Sequence, residues 1–132
     1  MSHWVMLSLK IKNPNKELLK MALQYIAKQY LKVDRVVENY MVRGWSGREQ
    51  CDFAIPMRLP YGNGYGVKID QNGEVKVVVD DHGAPLSAQQ FAQLLTQTYV
   101  TLATAQALQE LGYNISNVQE TPEGIVLEAV SY

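Results

Sequence analysis

The sequence predicts an α+β fold, a mainly antiparallel sheet carrying two helices on one face in the order β-α-ββββ-α-ββ. Three observations lead there. The chain opens on an alternation of apolar and polar residues. Its middle holds two Asn-Gly pairs of the kind that turn hairpins. Two long segments have helical periodicity, each with a cap at its start.

Val5, Leu7, Leu9 and Ile11 alternate with Met6, Ser8 and Lys10, the period of a strand with one buried face. Asn13-Pro14 then offers an N-cap and a proline at the first helical position, where a missing N–H costs nothing. Leu18, Leu19, Ala22, Tyr25, Ile26 and Tyr30 follow at helical spacing, while Lys16, Lys20, Lys28 and Lys32 fall elsewhere. A helix over about 14 to 31 therefore has a basic outer side. From Val36 to Trp45, β-branched and aromatic residues form a second strand that turns through Gly44-Trp45-Ser46-Gly47. Phe53 and Ile55 begin a third, which Pro56 and Pro60 confine to an edge or cut short. Asn63-Gly64 and Asn72-Gly73 are tight hairpin turns in this reading, giving a meander of strands near 51 to 58, 65 to 69 and 74 to 80. Ser87 with Gln90 makes a capping box, Leu86 with Phe91 a hydrophobic staple, and Gly112 closes the second helix. The threonines and valine between Thr96 and Thr104 lower helix propensity, but caps at both ends outweigh that local preference. A last hairpin, near 115 to 120 and 125 to 130, turns through Thr121-Pro122-Glu123-Gly124, with Pro122 where its fixed φ suits a type I turn. All strands are expected in one sheet.

The 132 residues suffice for a single domain, 1–132, around one hydrophobic core. Apolar runs are short, far from the ~20 residues that a membrane-spanning helix needs. Met1-Ser2-His3-Trp4 lacks the regions of a signal peptide, so the protein is expected to stay where it is made, with no membrane partner. Cys51 is the only cysteine, which leaves no internal disulfide and suits a reducing compartment. The net charge of −1 conceals an asymmetry: residues 1–68 balance at +6 and residues 69–132 at −7. All four arginines (Arg35, Arg43, Arg48, Arg58) lie within segment 35–58. Either the halves neutralise each other across one surface, or the first presents a basic face to an anion, a nucleic acid or an acidic partner.

Among possible chemical constellations, Tyr61-Gly62-Asn63-Gly64-Tyr65-Gly66 does not fit a phosphate loop, because it leads into a strand and not into a helix N-terminus. Asp80-Asp81-His82-Gly83 holds three potential ligands in succession, but consecutive strand residues cannot all face one ion, so no metal site and no cofactor is expected. His3 and His82 could meet, with Ser2 or Cys51 joining, yet nothing in the sequence fixes a nucleophile, base and orienter together, and no catalytic residue is assigned. The segment Tyr40 to Arg48 is the strongest polar candidate. Arg43 and Trp45 would share one face of a strand, Gly44 leaves room for close approach, and Arg48 lies just past the turn, a set suited to stacking and phosphate contact. The competing expectation is that Trp45 closes the core edge while Arg43 pairs with a carboxylate of the C-terminal half.

The second helix has a single formal charge, Glu110, between Ala88 and Leu111. Its core face is Phe91, Leu95, Thr98, Leu102 and Ala105. Opposite, Gln93, Gln97, Val100, Thr104, Ala107 and Leu111 repeat the same spacing and grow more apolar toward the end. A solvated helix normally fills such positions with lysine and glutamate, so this face is expected to pack against a second copy or another subunit, most simply as a two-fold dimer.

Several short motifs together resemble one family. They are Met1-Ser2-His3 followed by an aromatic residue, Val42-Arg43-Gly44-Trp45-Ser46-Gly47, Asp81-His82-Gly83, Phe91 with Leu94-Leu95-Thr96-Gln97-Thr98-Tyr99, and Gly124-Ile125-Val126-Leu127. Over nearly its full length the chain resembles the family of unknown function of cyanobacteria, algal plastids and some phages named hypothetical chloroplast reading frame thirty-five. It departs from the family pattern at His82, where the family tends to have an aromatic residue, and at Thr98, where it tends to have a basic one. The resemblance implies a small α+β protein, an accessory subunit, with no assigned reaction or cofactor, in a cytoplasm, plastid stroma or host cytoplasm. The sequence thus points first to a non-enzymatic binding or accessory module acting through protein contacts. Second comes a nucleic-acid or anion-binding protein using segment 35–58, and third a small-molecule enzyme.

Overall fold

The computed structural model describes residues 2–122 and 124–131. Five strands form one sheet: β1 (Trp4–Lys12), β2 (Val37–Arg43), β3 (Arg48–Leu59), β4 (Gly62–Ile69) and β5 (Glu74–Asp80), in the spatial order β1-β5-β4-β3-β2 with every pair antiparallel. Two helices, α1 (Lys16–Ile26) and α2 (Ala88–Glu110), pack on each other and on this sheet. The final hairpin, β6 (Tyr113–Thr121) and β7 (Gly124–Ser131), stands apart as a two-stranded sheet of its own and does not extend the first. It rests on α2. The alternation along β6 and β7 specifies a strand pair but not the sheet it joins, and here the two strands pair only with each other.

The alternation along β1 does what its period requires. Leu9 and Ile11 are buried in the main core with Val5 and Leu7 against it, while Met6, Ser8 and Lys10 are exposed. The same face of β4 and β5 supplies Tyr65, Val67, Val75, Val77 and Val79, onto which α1 sets Leu19, Ala22, Leu23 and Ile26 and α2 sets Phe91 and Leu95. The Tyr65 and Phe91 rings lie 4.8 Å apart, and the Tyr65 hydroxyl donates to Leu86 O at 2.7 Å while accepting from Leu86 N–H at 3.0 Å, which locks the entry to α2. The capping box is formed as the spacing requires: Ser87 Oγ accepts from Gln90 N–H and Gln90 Oε1 from Ser87 N–H. Thr96, Thr98 and Thr101 each donate a hydroxyl to the carbonyl four residues back, so their polar groups are satisfied within the helix.

Some boundaries differ from the expectation. The cap of α1 is Asn15, whose side chain accepts from Leu18 N–H; Asn13 instead closes the β1–α1 corner, donating its N–H to Gly73 O. After Ile26 the helix widens into a π-helical turn, Ala27–Leu31, and ends at Lys32 in the left-handed region with φ 58. That extra residue brings both Ala27 and Leu31 into the core. Asn63-Gly64 lies inside β4, and the β3–β4 turn is at Pro60-Tyr61 instead. Asn63 is held in strand because its amide bridges sideways to β2, accepting from Arg43 N–H and donating to Met41 O. β3 is interior, but Pro56 stands beyond Ala54, the last residue of β3 in register with β2, and has a ladder partner on one side only, Gly64 of β4. Asn72-Gly73 does turn, with Gly73 at φ 79. Glu123 of the last turn and Met1 of the first motif lie outside the described residues.

A second, smaller core covers the sheet face away from the helices. Val42, Cys51, Ala54 and Val78 are buried there, with Trp4, Val37 and Tyr40 packed against them. β2 thus contacts β4 and β5 as well as its ladder partner β3, and the β2–β3 arm lies back over the sheet. Gly66 permits the approach: a Cβ there would meet Cys51 Sγ and Val42 Cγ2 at 2.5 Å.

Candidate functional site

Three segments distant in sequence meet at one end of the sheet: His3-Trp4, Gly44 to Gly47, and Asp80-Asp81. Asp80 is fully buried, and its carboxylate accepts the N–H of His3 at 2.8 Å and that of Trp45 at 3.1 Å. Asp81 accepts the N–H of Ala88 at 2.7 Å, at the first turn of α2, and its other oxygen pairs with His3 Nδ1. Both carboxylates are therefore engaged in holding the backbone. The Trp4 ring lies under the 44–47 turn, since a Cβ on Gly44 would come 2.6 Å from a ring carbon of Trp4 and one on Gly47 would overlap the indole. Gly44 N–H to Gly47 O at 2.8 Å closes the turn.

On this support Trp45 projects outward with 75% of its surface exposed. It lies in the turn and not on β2, which ends at Arg43, so the expected shared strand face of Arg43 and Trp45 is replaced by a turn tip flanked by two arginines. Arg43 and Arg48 stand directly opposite each other across the β2–β3 ladder, both exposed. Among the described residues neither enters an ion pair, and the pairs that form are His3–Asp81, Lys20–Glu38, Lys68–Glu49 and Lys76–Asp70. The alternative of a core tryptophan with an arginine locked to a C-terminal carboxylate is thus not what the structure has. The Trp45 ring meets Tyr61 edge-on at 5.9 Å, and Tyr61 meets His82 at 5.2 Å, making a row of three rings beside the arginine tip. Trp4, Tyr61 and His82 were not assigned to this site from the sequence. The available signal was that the first three motifs of the resemblance, at His3, Gly44 and Asp81, are the segments that converge here.

His3, Asp80, Asp81 and His82 do not converge on one point: Asp80 faces backbone N–H groups, His3 pairs with Asp81, and the His82 ring lies against Tyr61. Cys51 is buried in the second core, where burial first and then the charge of Glu49 push its thiol up to about 12. It is held in the unreactive, protonated form.

The second candidate surface is the C-terminal part of the chain. Phe91, Leu95 and Thr98 of α2 are buried as expected, but Leu102 and Ala105 are only half-buried and line an open groove. The groove has a volume of about 430 Å³ between α1, α2 and the β6–β7 hairpin, and Met21, Tyr25, Val118, Ile125 and Leu127 form its other walls. Its polar feature is Tyr25, which donates its hydroxyl to Glu120 at 2.6 Å; that bond first, with burial, pushes the phenol up to about 12. On the far side of α2, Gln93, Val100, Thr104, Ala107 and Leu111 are exposed and Gln97 is half-buried, Val100 at 51% and Leu111 at 75%. The last turn of α2 is thus left open by the hairpin. No helix is long and apolar enough to cross a membrane.

A family model described as "Protein of unknown function (DUF1257)" matches residues 27–127, well over half of the chain, in agreement with the resemblance of its motifs. No curated protein and no solved structure matches.

Proposed function

We propose that this chain, which belongs to the DUF1257 family of unknown function, is a non-enzymatic binding or accessory module acting through protein contacts made by α2 and the terminal hairpin. One observation carries the reading: from Tyr99 to Ser131 no described residue is buried, although the stretch holds Val100, Leu111, Tyr113, Val118, Val126 and Val130 in exposed positions. A quarter of the chain is folded into regular elements that enclose no core of their own, and apolar side chains left exposed on both α2 and the hairpin are available to a partner. The stripe Gln93, Gln97, Val100, Thr104, Ala107 and Leu111 is uncharged, so two copies can align it antiparallel across a two-fold axis without like charges meeting.

Sedimentation at tens of micromolar tests this. The wild type is expected to show a mass that rises with concentration, and Val100→Lys to remain monomeric with an unchanged circular dichroism spectrum. A wild type that is monomeric throughout and indistinguishable from Val100→Lys defeats the self-contact.

A second reading, anion or nucleic-acid binding through segment 35–58, is favoured by the opposed, unpaired Arg43 and Arg48 on either side of the exposed Trp45. Like charges placed directly across a ladder repel, and an anion bound beside them offsets that repulsion.

A further inference from the structure

We infer that the arginine tip and the ring row form one binding site for single-stranded nucleic acid, with Trp45 stacking a base, Tyr61 and His82 bracing its ring, and Arg43 and Arg48 holding phosphates. This rests on the second reading above and adds Tyr61, His82 and the ligand class to it. A bare anion would need the two arginines alone. The structure supplies more: an indole with 75% of its surface open beside the cations, then a phenol 5.9 Å away and an imidazole 5.2 Å beyond that. An open indole braced by two further rings next to a cationic pair matches a strand whose bases are unstacked and whose backbone runs alongside. A duplex presents its base faces to no such surface, because they are stacked inside it.

The tip is also set before any ligand arrives. Asp80 holds the Trp45 backbone, the Gly44–Gly47 hydrogen bond closes the turn, and the Trp4 ring fills the space beneath. A preorganised aromatic loses little freedom on binding. With two arginines the electrostatic share is small, so binding is expected to be sequence-tolerant and only modestly salt-dependent, with a slope of log affinity against log salt of about −1.4.

The experiment is fluorescence anisotropy of labelled oligo-U and oligo-dT of about ten nucleotides, a length within the range of single-strand sites. The wild type is compared with Arg43→Ala, Arg48→Ala, Trp45→Ala and Tyr61→Ala at salt concentrations of about 50 and 200 mM. Circular dichroism reports in each variant whether the fold is kept, and in Trp45→Ala the emission of Trp4, then the sole tryptophan, does so as well. Trp45→Ala is expected to weaken binding about ten-fold or more, and Tyr61→Ala by a smaller factor. Each arginine variant should flatten the slope of log affinity against log salt by about 0.7. A parallel titration with poly-glutamate separates the sources. Arginine-dependent binding of poly-glutamate as tight as that of the oligonucleotides, with Trp45→Ala unaffected, overturns the nucleic-acid inference and leaves the anion reading standing. No binding of either polyanion at low salt, or binding indifferent to both arginines, removes both. Comparison of oligo-U with oligo-dU, which differ only in the 2′-hydroxyl, then assigns the sugar.

Discussion

Asp80 has no side-chain cation against it among the described ion pairs, yet it is fully buried, and the N–H groups of His3 and Trp45 are what hold its charge. Hydrogen bonds to a charged group each contribute roughly 1.5–3 kcal/mol, and cutting the acceptor away leaves both donors unsatisfied. Asp80→Ala should therefore lower stability by about 3 kcal/mol in urea denaturation, and Asp80→Asn, which keeps one acceptor and adds a donor, by roughly half as much. The loss should be accompanied by a changed tryptophan emission, because the 44–47 turn that carries Trp45 and covers the Trp4 ring is released. Cys51 makes a separate residue-level prediction. Its folded thiol titrates near 12 against an ordinary 9, chiefly through burial. A raised value favours the protonated form in the fold, so this contribution is whole below pH 9 and fades as pH climbs toward 12. At pH 8 a thiol reagent should modify native Cys51 far more slowly than the urea-unfolded chain, at a rate that reports opening of the β2–β3 arm. Equal rates in the two states would mean that the arm does not cover it.

At the scale of elements, the π-helical turn ends on Lys32 at φ 58, a conformation that costs an L-residue with a side chain roughly 1–2 kcal/mol and glycine almost nothing. After allowance for the greater freedom of glycine in the unfolded chain, Lys32→Gly should stabilise the protein by about 0.5–1 kcal/mol, read as a raised urea midpoint. The elements differ in how plainly the residues announce them. The capping box of α2, Asn72-Gly73 and Gly112 rest on interactions within a few positions, and such local chemistry is written in adjacent residues, as is the alternation that marks β1 although its partner β5 is remote. Asn63-Gly64 has the same local signature as Asn72-Gly73 but obeys a remote one: its amide is committed to β2, some twenty positions away, so the turn moves to Pro60-Tyr61. The π-helical turn is similar, since its extra residue satisfies packing of Ile26, Ala27 and Leu31 that periodicity of 3.6 cannot express. For the arginine tip, the residues named the two cations and the indole. The ring row was beyond reach, because Tyr61 and His82 arrive from other turns through the curl of β2–β3 over the sheet.

Across the whole molecule, burial is distributed unevenly. The central strands β4 and β5 and the first half of α2 hold the core, whereas the described residues from Tyr99 onward are half-buried at most. Opening free energies track buried contacts, so native-state hydrogen exchange should release the amides of β6 and β7 well before those of β4 and β5. Protection of the hairpin that rises with protein concentration would tie it to self-association; protection equal to that of β5 in dilute solution would contradict the separation of the two sheets. The order of the larger sheet has a further consequence for the chain as it is made. β1 is synthesised first but pairs with β5, and the contact that ties His3 to Asp80 spans 77 positions. During translation Val5, Leu7, Leu9 and Ile11 leave the ribosome long before the strand and helices that cover them exist. This apolar segment must wait uncovered while α1 and the β2–β5 meander emerge, and its docking closes both the sheet edge and the turn beneath Trp45 in one late step.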